Sequence, residues 1–152
     1  MNKYIGTKIV EARPMNRGEY NEYRGWTIPK DENPADEGFL VKYHDNYERW
    51  SPKEVFEEAY RPTNGLNFGL ALEAAKKGKR IARAGWNGKG QWVELGRDIF
   101  YRHEDEPTLL ACHDDIGSQA LVFCGTRGSQ VGWLASQADM LADDWLILEE
   151  EG

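Results

Sequence analysis

The feature that most constrains this fold is one long helical pattern followed by short strand segments. Over residues 68–77, apolar side chains share one helix face at spacings of three and four: Phe68, Ala71, Leu72 and Ala75. Asn67 is a good N-cap, and Gly78 suits the C-terminal end. Strand patterns follow over residues 79–84, 91–95, 108–113, 119–124 and 145–149. The pattern predicts an α+β fold with one main amphipathic helix on a mostly antiparallel sheet.

Another group of short elements precedes that helix, so we expect two domains, over residues 1–62 and 66–152. Pro62 ends a helical segment, and residues 63–65 are predicted to be the linker. The N-terminal domain is predicted to be a small α+β unit. Its strand candidates are a segment with Ile5, Ile9 and Val10 that ends at Pro14, residues 38–43, and residues 47–50 after a turn at Asp45 and Asn46.

The same domain contains two predicted helical segments. Residues 16–23 are predicted to form a helical turn, and residues 29–37 are loop by composition. The second helix is predicted to begin with Ser51 as its N-cap and Pro52 at its first position. Four aromatic side chains of this domain are expected in its core by default, with a partner surface or a lid as the alternatives: Tyr20, Tyr23, Trp26 and Trp50.

The other side of the helix over residues 68–77 carries Gly69, Leu70 and Ala74. A surface of such residues can pack closely against a helix of another subunit. It can equally be buried within its own domain, and the sequence leaves both arrangements open.

The formal net charge of −7 argues against bulk nucleic-acid binding, which needs clustered lysine and arginine. The basic cluster over residues 76–80 fits the end of a helix. The sequence has no apolar stretch of about twenty residues, so no membrane partner is expected and we predict a cytoplasmic protein. Cys112 and Cys124 are expected to be reduced and partly buried in strands.

The sequence does not indicate catalytic chemistry. Its three histidines lie in no nucleophile or metal signature, and no phosphate-binding glycine loop with its lysine is present. The adjacent acids at 114–115 and 143–144 are predicted to be solvated turns. We therefore predict a protein that is not an enzyme, with no catalytic residue, metal or cofactor.

Two tryptophan-bearing segments, residues 83–90 and 132–145, favour binding instead. Trp86 follows a predicted strand and precedes a turn at Asn87, so its indole is placed at a sheet edge, where it could stack on a base. Trp133 has the same potential beside a predicted helix start at Ser136, whose backbone amides could hold a phosphate or ribose oxygen. The alternative is that both indoles belong to the core, which is the better interpretation for Trp145 at the start of a strand.

Three strings occur in order, over residues 67–75, 82–90 and 132–145. Together they resemble the phage-encoded second-type Thoeris anti-defence proteins, a family that also includes a type II-A anti-CRISPR protein. The resemblance implies a small α+β protein that assembles as a homotetramer. It also implies a sponge that sequesters a cyclic ADP-ribose-type immune messenger, or cyclic dinucleotides at a separate pocket, without degrading them.

The resemblance places the ligand site in the second and third strings. It implies stacking faces at Trp86 and Trp133 and polar contacts at Asn87 and Asp139. The other residues carried over are Ser136, Gln137 and Met140. Asp143 and Asp144 are weaker candidates, and ligand contacts from residues 96–130 are not predicted by the match.

A second function, from a different class, remains open at this point. The acidic charge and the anti-CRISPR relative are consistent with a protein–protein inhibitor of a bacterial defence nuclease. Residues 1–62 resemble a small domain of unknown function found in phage proteins, on the strings over residues 3–9, 23–26 and 50–56.

Overall fold

The computed structural model describes residues 1–86 and 90–149. The chain divides into two compact units, Met1–Arg61 and a second unit that begins at Pro62. Each unit combines helices with antiparallel sheet, so the predicted α+β class is confirmed. Within the described residues, no helix has the length and apolar character needed to cross a membrane.

The first unit is a three-stranded antiparallel sheet with two helices. Its elements are β1 (Glu11–Pro14), α1 (Arg17–Arg24), β2 (Gly38–Lys42), β3 (Glu48–Pro52) and α2 (Lys53–Ala59), and the strand order is β1-β2-β3. A capping box begins α1, because Asn16 accepts from the Glu19 amide and Glu19 accepts from the Asn16 amide, each at 2.8 Å. The core of this unit consists of Met15, Tyr20 and Leu40, with Trp50 packed against it.

Three predictions for the first unit are wrong. Ile5 and Ile9 lie in an exposed segment without regular structure, because the first strand begins only at Glu11. Ser51 does not cap α2, because it is paired with Phe39 inside β3 and the strand runs directly into the helix. Two of the four aromatic residues expected in the core, Tyr23 and Trp26, are 49% and 55% exposed.

The second unit is built on a five-stranded antiparallel sheet. Its elements are α3 (Phe68–Lys76), β4 (Arg80–Arg83), β5 (Trp92–Arg97), β6 (Phe100–Arg102), β7 (Thr108–Leu110), β8 (Gln119–Gly125), β9 (Gly128–Val131), α4 (Gln137–Leu141) and β10 (Trp145–Leu148). The strand order is β10-β4-β5-β8-β9, and β6 pairs separately with β7. The sequence does not predict β6 and β9, because short strands with every residue exposed carry no apolar alternation.

The helix at the start of this unit is as predicted. The Asn67 side chain accepts a hydrogen bond from the Leu70 amide at 2.9 Å and so caps α3. Gly78 follows the helix with a φ of +86°, a conformation that glycine adopts without strain. The predicted linker is tied to the same unit, since the Ile147 amide donates to the Thr63 carbonyl at 2.8 Å.

The core of the second unit forms where α3 covers one row of side chains on the sheet. The register places four residues side by side across neighbouring strands: Ile147, Ile81, Val93 and Phe123. The alanines of α3 pack in the same core: Ala71, Ala74 and Ala75. On the other side of α3, Ala74 is buried in this core and Leu70 packs against it, whereas Gly69 is exposed. Most of that side therefore packs within its own domain, and contact of the exposed part with another subunit stays a prediction.

The cysteines occupy different environments. Cys124 is buried in β8, as expected, and Cys112 is exposed in the segment after β7. The prediction of a strand position is wrong for Cys112, because β7 ends at Leu110. Both thiols are free.

We expect truncation of the central core residue Ile81, which is 1% exposed, to destabilise the second unit strongly. Ile81→Ala removes three buried carbons, which lowers the free energy of unfolding by roughly 2–5 kcal/mol. Ile116→Ala is the matched control, because Ile116 is 53% exposed and its truncation changes this free energy by only about 0.5 kcal/mol or less. Urea unfolding followed by circular dichroism measures both values, and equal effects would contradict the core assignment.

Candidate functional site

The pairing of β4 with β10 brings the two tryptophan-bearing segments together. The strands are antiparallel, with Trp145 opposite Arg83, so the end of β4 lies beside the start of β10. The Ala84 amide continues the contact by donating to the Asp144 carbonyl at 3.1 Å. The segment after β4 and the segment before β10 therefore meet within one chain, although they are about sixty positions apart in sequence.

Three indoles pack together at this junction, and we call Trp86, Trp133 and Trp145 the tryptophan cluster. Trp145 is the buried member, with 0% exposure, as the sequence predicts. Its ring centroid lies 5.4 Å from that of Trp86 and 6.2 Å from that of Trp133. Trp86 and Trp133 are themselves 6.2 Å apart, and every pair is edge-to-face, which is a favourable geometry for aromatic rings.

The outer indoles are partly buried, so each has a surface-facing portion. The Trp86 amide donates to the Arg83 carbonyl at 3.2 Å in the turn that follows β4. Trp133 follows β9, and its amide donates to the Leu121 carbonyl of β8 at 3.0 Å. These two bonds tether the backbone at both tryptophans to strands of the five-stranded sheet.

A network of charged hydrogen bonds links the same two segments. Arg83 donates from Nε to Asp144 Oδ1 at 2.8 Å and from Nη1 to Asp139 Oδ1 at 2.9 Å. Asp139 Oδ1 also accepts from Trp86 Nε1 at 3.3 Å, and Asp144 Oδ2 accepts from the Gly85 amide at 2.8 Å. The Trp145 Nε1 group donates to the Asp139 carbonyl at 2.8 Å. Arg83 and its two carboxylates thus connect the turn after β4 to α4 and to the start of β10.

Ser136 and Asp139 form the capping box of α4, as predicted. The Ser136 side chain accepts from the Asp139 amide at 3.1 Å. Asp139 Oδ2 accepts from the Ser136 amide at 3.0 Å and from its hydroxyl at 2.8 Å. The expectation that free amides at this helix start could bind a phosphate is therefore corrected for Ser136 and Asp139, whose amides are both occupied.

The electrostatics keep these acids ionised. Burial of the Asp139 carboxyl raises its pKa, but hydrogen bonds from Arg83, Ser136 and Trp86 outweigh burial and hold the pKa at about 2. The hydrogen bond from Arg83 is the main cause that lowers the pKa of Asp144. The same two acids raise the pKa of Arg83 above its ordinary value.

The structure brings most of the predicted ligand residues to one place. Trp86, Trp133, Ser136 and Asp139 are joined by the contacts above, and Gln137 and Met140 are exposed on α4. Asn87 lies outside the described residues. The Asp139 carboxylate already accepts four hydrogen bonds from the protein, so a ligand contact there would compete with them.

Sequence reasoning missed Arg83 and undervalued Asp144. The acids at 143–144 are predicted to be a solvated turn, but Asp144 forms an ion pair with Arg83. The available signal is that Arg83 ends a strand two residues before Gly85 and three before Trp86. That signal does not identify a partner, because Asp144 is near Arg83 only after β4 and β10 have paired.

A separate surface cavity of about 470 Å³ is lined by residues between Ile99 and Val131, outside the three strings that carry the family resemblance. Its apolar lining includes Ile99, Tyr101, Leu110, Ile116 and Val131. None of the described residues that are predicted to bind ligand lines this cavity. It is therefore distinct from the surface at the tryptophan cluster.

The residues that form this junction lie in a segment that matches a family model. The model describes a Thoeris anti-defense 2-like domain and matches residues 66–148. The chain belongs to this family. It is also similar to the protein named Thoeris anti-defense 2 of Bacillus phage SP01, with 32% identity over an alignment of 93 residues that covers 55% of this chain and 94% of that relative.

The comparisons confirm the family resemblance that three sequence strings indicate. The match begins at Leu66, within the second structural unit. The tryptophan cluster, Arg83, Asp139 and Asp144 all lie inside the matched segment.

We expect the Asp139 carboxylate to make this family domain sensitive to acid. The pKa of Asp139 falls from its ordinary 3.8 to about 2 in the folded protein, so the folded state binds fewer protons than the unfolded state between these values. The resulting stabilisation, on the order of 2 kcal/mol, is complete above about pH 5 and is lost as the pH falls through 2.

Asp139→Asn should lower the free energy of unfolding at pH 7 and flatten its decline between about pH 5 and pH 2. Asp143→Asn, at an exposed neighbouring acid, is the control. Urea titrations at several pH values measure the effect. An Asp139→Asn variant with the same pH slope as the wild-type chain would contradict the assignment.

Proposed function

We propose that this protein binds and sequesters a cyclic ADP-ribose-type immune messenger, without degrading it, and thereby blocks Thoeris-type defence. Membership of the Thoeris anti-defense 2-like family carries the proposal. The sequence-similar phage protein is itself named Thoeris anti-defense 2. The tryptophan cluster supports the same conclusion, because it offers two partly exposed indoles at one junction of the matched domain.

The chemistry of the junction suits a nucleotide-like ligand. An adenine ring stacks favourably on an indole, and alanine substitution of such a platform costs roughly 1–3 kcal/mol per base. Two exposed polar residues stand at the start of α4: Ser136, its N-cap, and Gln137, its first residue. Trp86 and Trp133 would therefore supply the stacking faces, and α4 would supply contacts to the sugar or phosphate oxygens.

Sequestration without turnover is part of the proposal. An efficient general acid or base has a pKa near the working pH. Asp139 has a pKa of about 2, and the Asp144 pKa is also lowered, so both acids stay ionised and bound to Arg83 at neutral pH. These acids therefore organise the site and are poorly suited to transfer protons.

Isothermal titration of the full chain with a cyclic ADP-ribose isomer tests the proposal. We expect binding by the wild-type protein and recovery of intact ligand after the complex is denatured. Trp86→Ala should weaken binding about 5- to 150-fold, because it removes a stacking face. Trp26→Ala is the matched control, since Trp26 is an exposed tryptophan of the other unit.

Other outcomes distinguish the rival functions. Binding of a cyclic dinucleotide alone would retain the sponge and change its messenger. Hydrolysed ligand after denaturation would overturn sequestration in favour of an enzyme. Absence of binding to both ligand classes, with co-purification of a Cas nuclease, would favour the protein–protein inhibitor.

We also propose that the protein acts as a homotetramer, in which copies contact through the β6–β7 hairpin. On the side of α3 that the sequence offers for subunit packing, Ala74 is buried in its own core and Gly69 is the exposed small residue, so this side leaves little surface for such an interface. The hairpin instead exposes four large apolar side chains by 42–61%: Phe100, Tyr101, Leu109 and Leu110. Phe100 and Leu110 form an exposed apolar pair on one face of the hairpin, and exposed apolar surface marks protein contact sites.

Light scattering with size-exclusion chromatography tests the assembly. The wild-type chain should elute with the mass of four copies. Phe100 and Leu110 are cross-strand partners and share one face of the hairpin. A Phe100→Lys/Leu110→Lys variant should therefore reduce the mass, whereas Val55→Lys, at an exposed site in α2, should not. A monomeric wild-type protein would contradict the proposal.

A further inference from the structure

We propose that Arg83 is a positioning residue for the candidate ligand site, holding the Trp86 indole and α4 together through Asp139 and Asp144. The inference rests on the proposed function, because it concerns how the same site binds its ligand. Arg83 itself is not assigned a ligand contact. Its role would be to fix the relative placement of one stacking face and the polar residues opposite it.

The geometry gives Arg83 two partners on different elements. Asp139 belongs to α4, and Asp144 directly precedes β10. The guanidinium donates to both carboxylates at 2.8–2.9 Å, and the Arg83 side chain is 19% exposed. A planar fork with several donors can satisfy two separate acids at once, which the point charge of lysine cannot reproduce.

The two carboxylates also accept hydrogen bonds from the turn that carries the Trp86 indole. Asp139 Oδ1 receives the Trp86 Nε1 hydrogen bond, and Asp144 Oδ2 receives the Gly85 amide. Gly85 and Trp86 both follow Arg83 in the turn after β4. Each acid therefore bridges Arg83 to a different point of that turn, and this arrangement limits rotation of the Trp86 side chain.

Gly85 provides an independent sign that the turn and Asp144 fit closely. A Cβ atom at position 85 would lie 2.8 Å from Asp144 Oδ2, closer than real Cβ contacts allow. Gly85→Ala should therefore displace the Asp144 carboxylate from the backbone amide of residue 85, while residue 83 remains arginine. It is a second way to disturb the same network from the opposite side.

The expected effect on binding is larger than the effect on stability. Trp145 is fully buried and its packing does not depend on the Arg83 charge. A lysine at position 83 would also keep a positive charge beside Asp139 and Asp144, and with it part of the ion-pair stabilisation. Arg83→Lys keeps the charge and loses the two-acid fork. We therefore expect this variant to stay folded, while the Trp86 indole and α4 are no longer held in fixed relative positions.

The experiment compares the full-length wild-type chain with Arg83→Lys and Gly85→Ala. A cyclic ADP-ribose isomer is the titrated probe, and near-ultraviolet circular dichroism reports the tryptophan cluster. Each variant should bind about tenfold more weakly, as expected from loss of one charge-assisted hydrogen bond. Their near-ultraviolet spectra should change, and thermal unfolding should show that they are folded at the titration temperature.

Arg80→Lys is the matched control, because Arg80 is an exposed arginine on the same strand that pairs with Glu94. It should retain wild-type affinity and spectrum. If wild-type protein binds and Arg83→Lys binds equally well with an unchanged spectrum, the positioning role is overturned and the proposed function stands. Loss of affinity only in proportion to the unfolded fraction would likewise overturn it. If wild-type protein does not bind, the proposed function fails and this inference fails with it.

Discussion

The antiparallel pairing of β4 with β10 is the interaction on which the rest of the second unit depends. It completes the sheet on one edge and sets Ile147 beside Ile81 in the core row. It also sets Trp145 beside Arg83. One register therefore determines both the packing beneath α3 and the meeting of two distant segments at the sheet end. A shift by one residue would turn each of these side chains to the opposite face.

Trp145 shows how closely stability and the candidate site are joined. Its ring packs against Phe68 of α3 on one side and against the outer indoles on others. Its Nε1 group also holds the Asp139 carbonyl. The buried indole thus supports the two partly exposed ones, so the surface at Trp86 and Trp133 is an extension of the core.

Much of the fold could be predicted from local sequence patterns. The pattern over residues 67–78 gives α3 with its Asn67 cap, and the Ser136 and Asp139 spacing gives the capping box of α4. These predictions hold because each depends on residues within one turn of helix. The prediction of a Ser51 cap is wrong because pairing of Ser51 with Phe39 in β3 competes with the cap and prevails. The exposed strands β6 and β9 leave no apolar period to detect.

The sequence alone pointed to the two tryptophan-bearing segments of the junction but not to Arg83. The three strings identified the family, and the position of Trp145 at the start of a strand marked it as a core residue, unlike Trp86 and Trp133. Tertiary structure alone decided that Trp86 and Trp133 meet within one chain, that Arg83 binds Asp139 and Asp144, and that the alanines of α3 are internal. The physical reason is the sequence separation over which each interaction acts. Caps and helix periods act over a few residues, whereas an ion pair between positions 83 and 144 exists only after strand pairing has brought the two ends of the domain together.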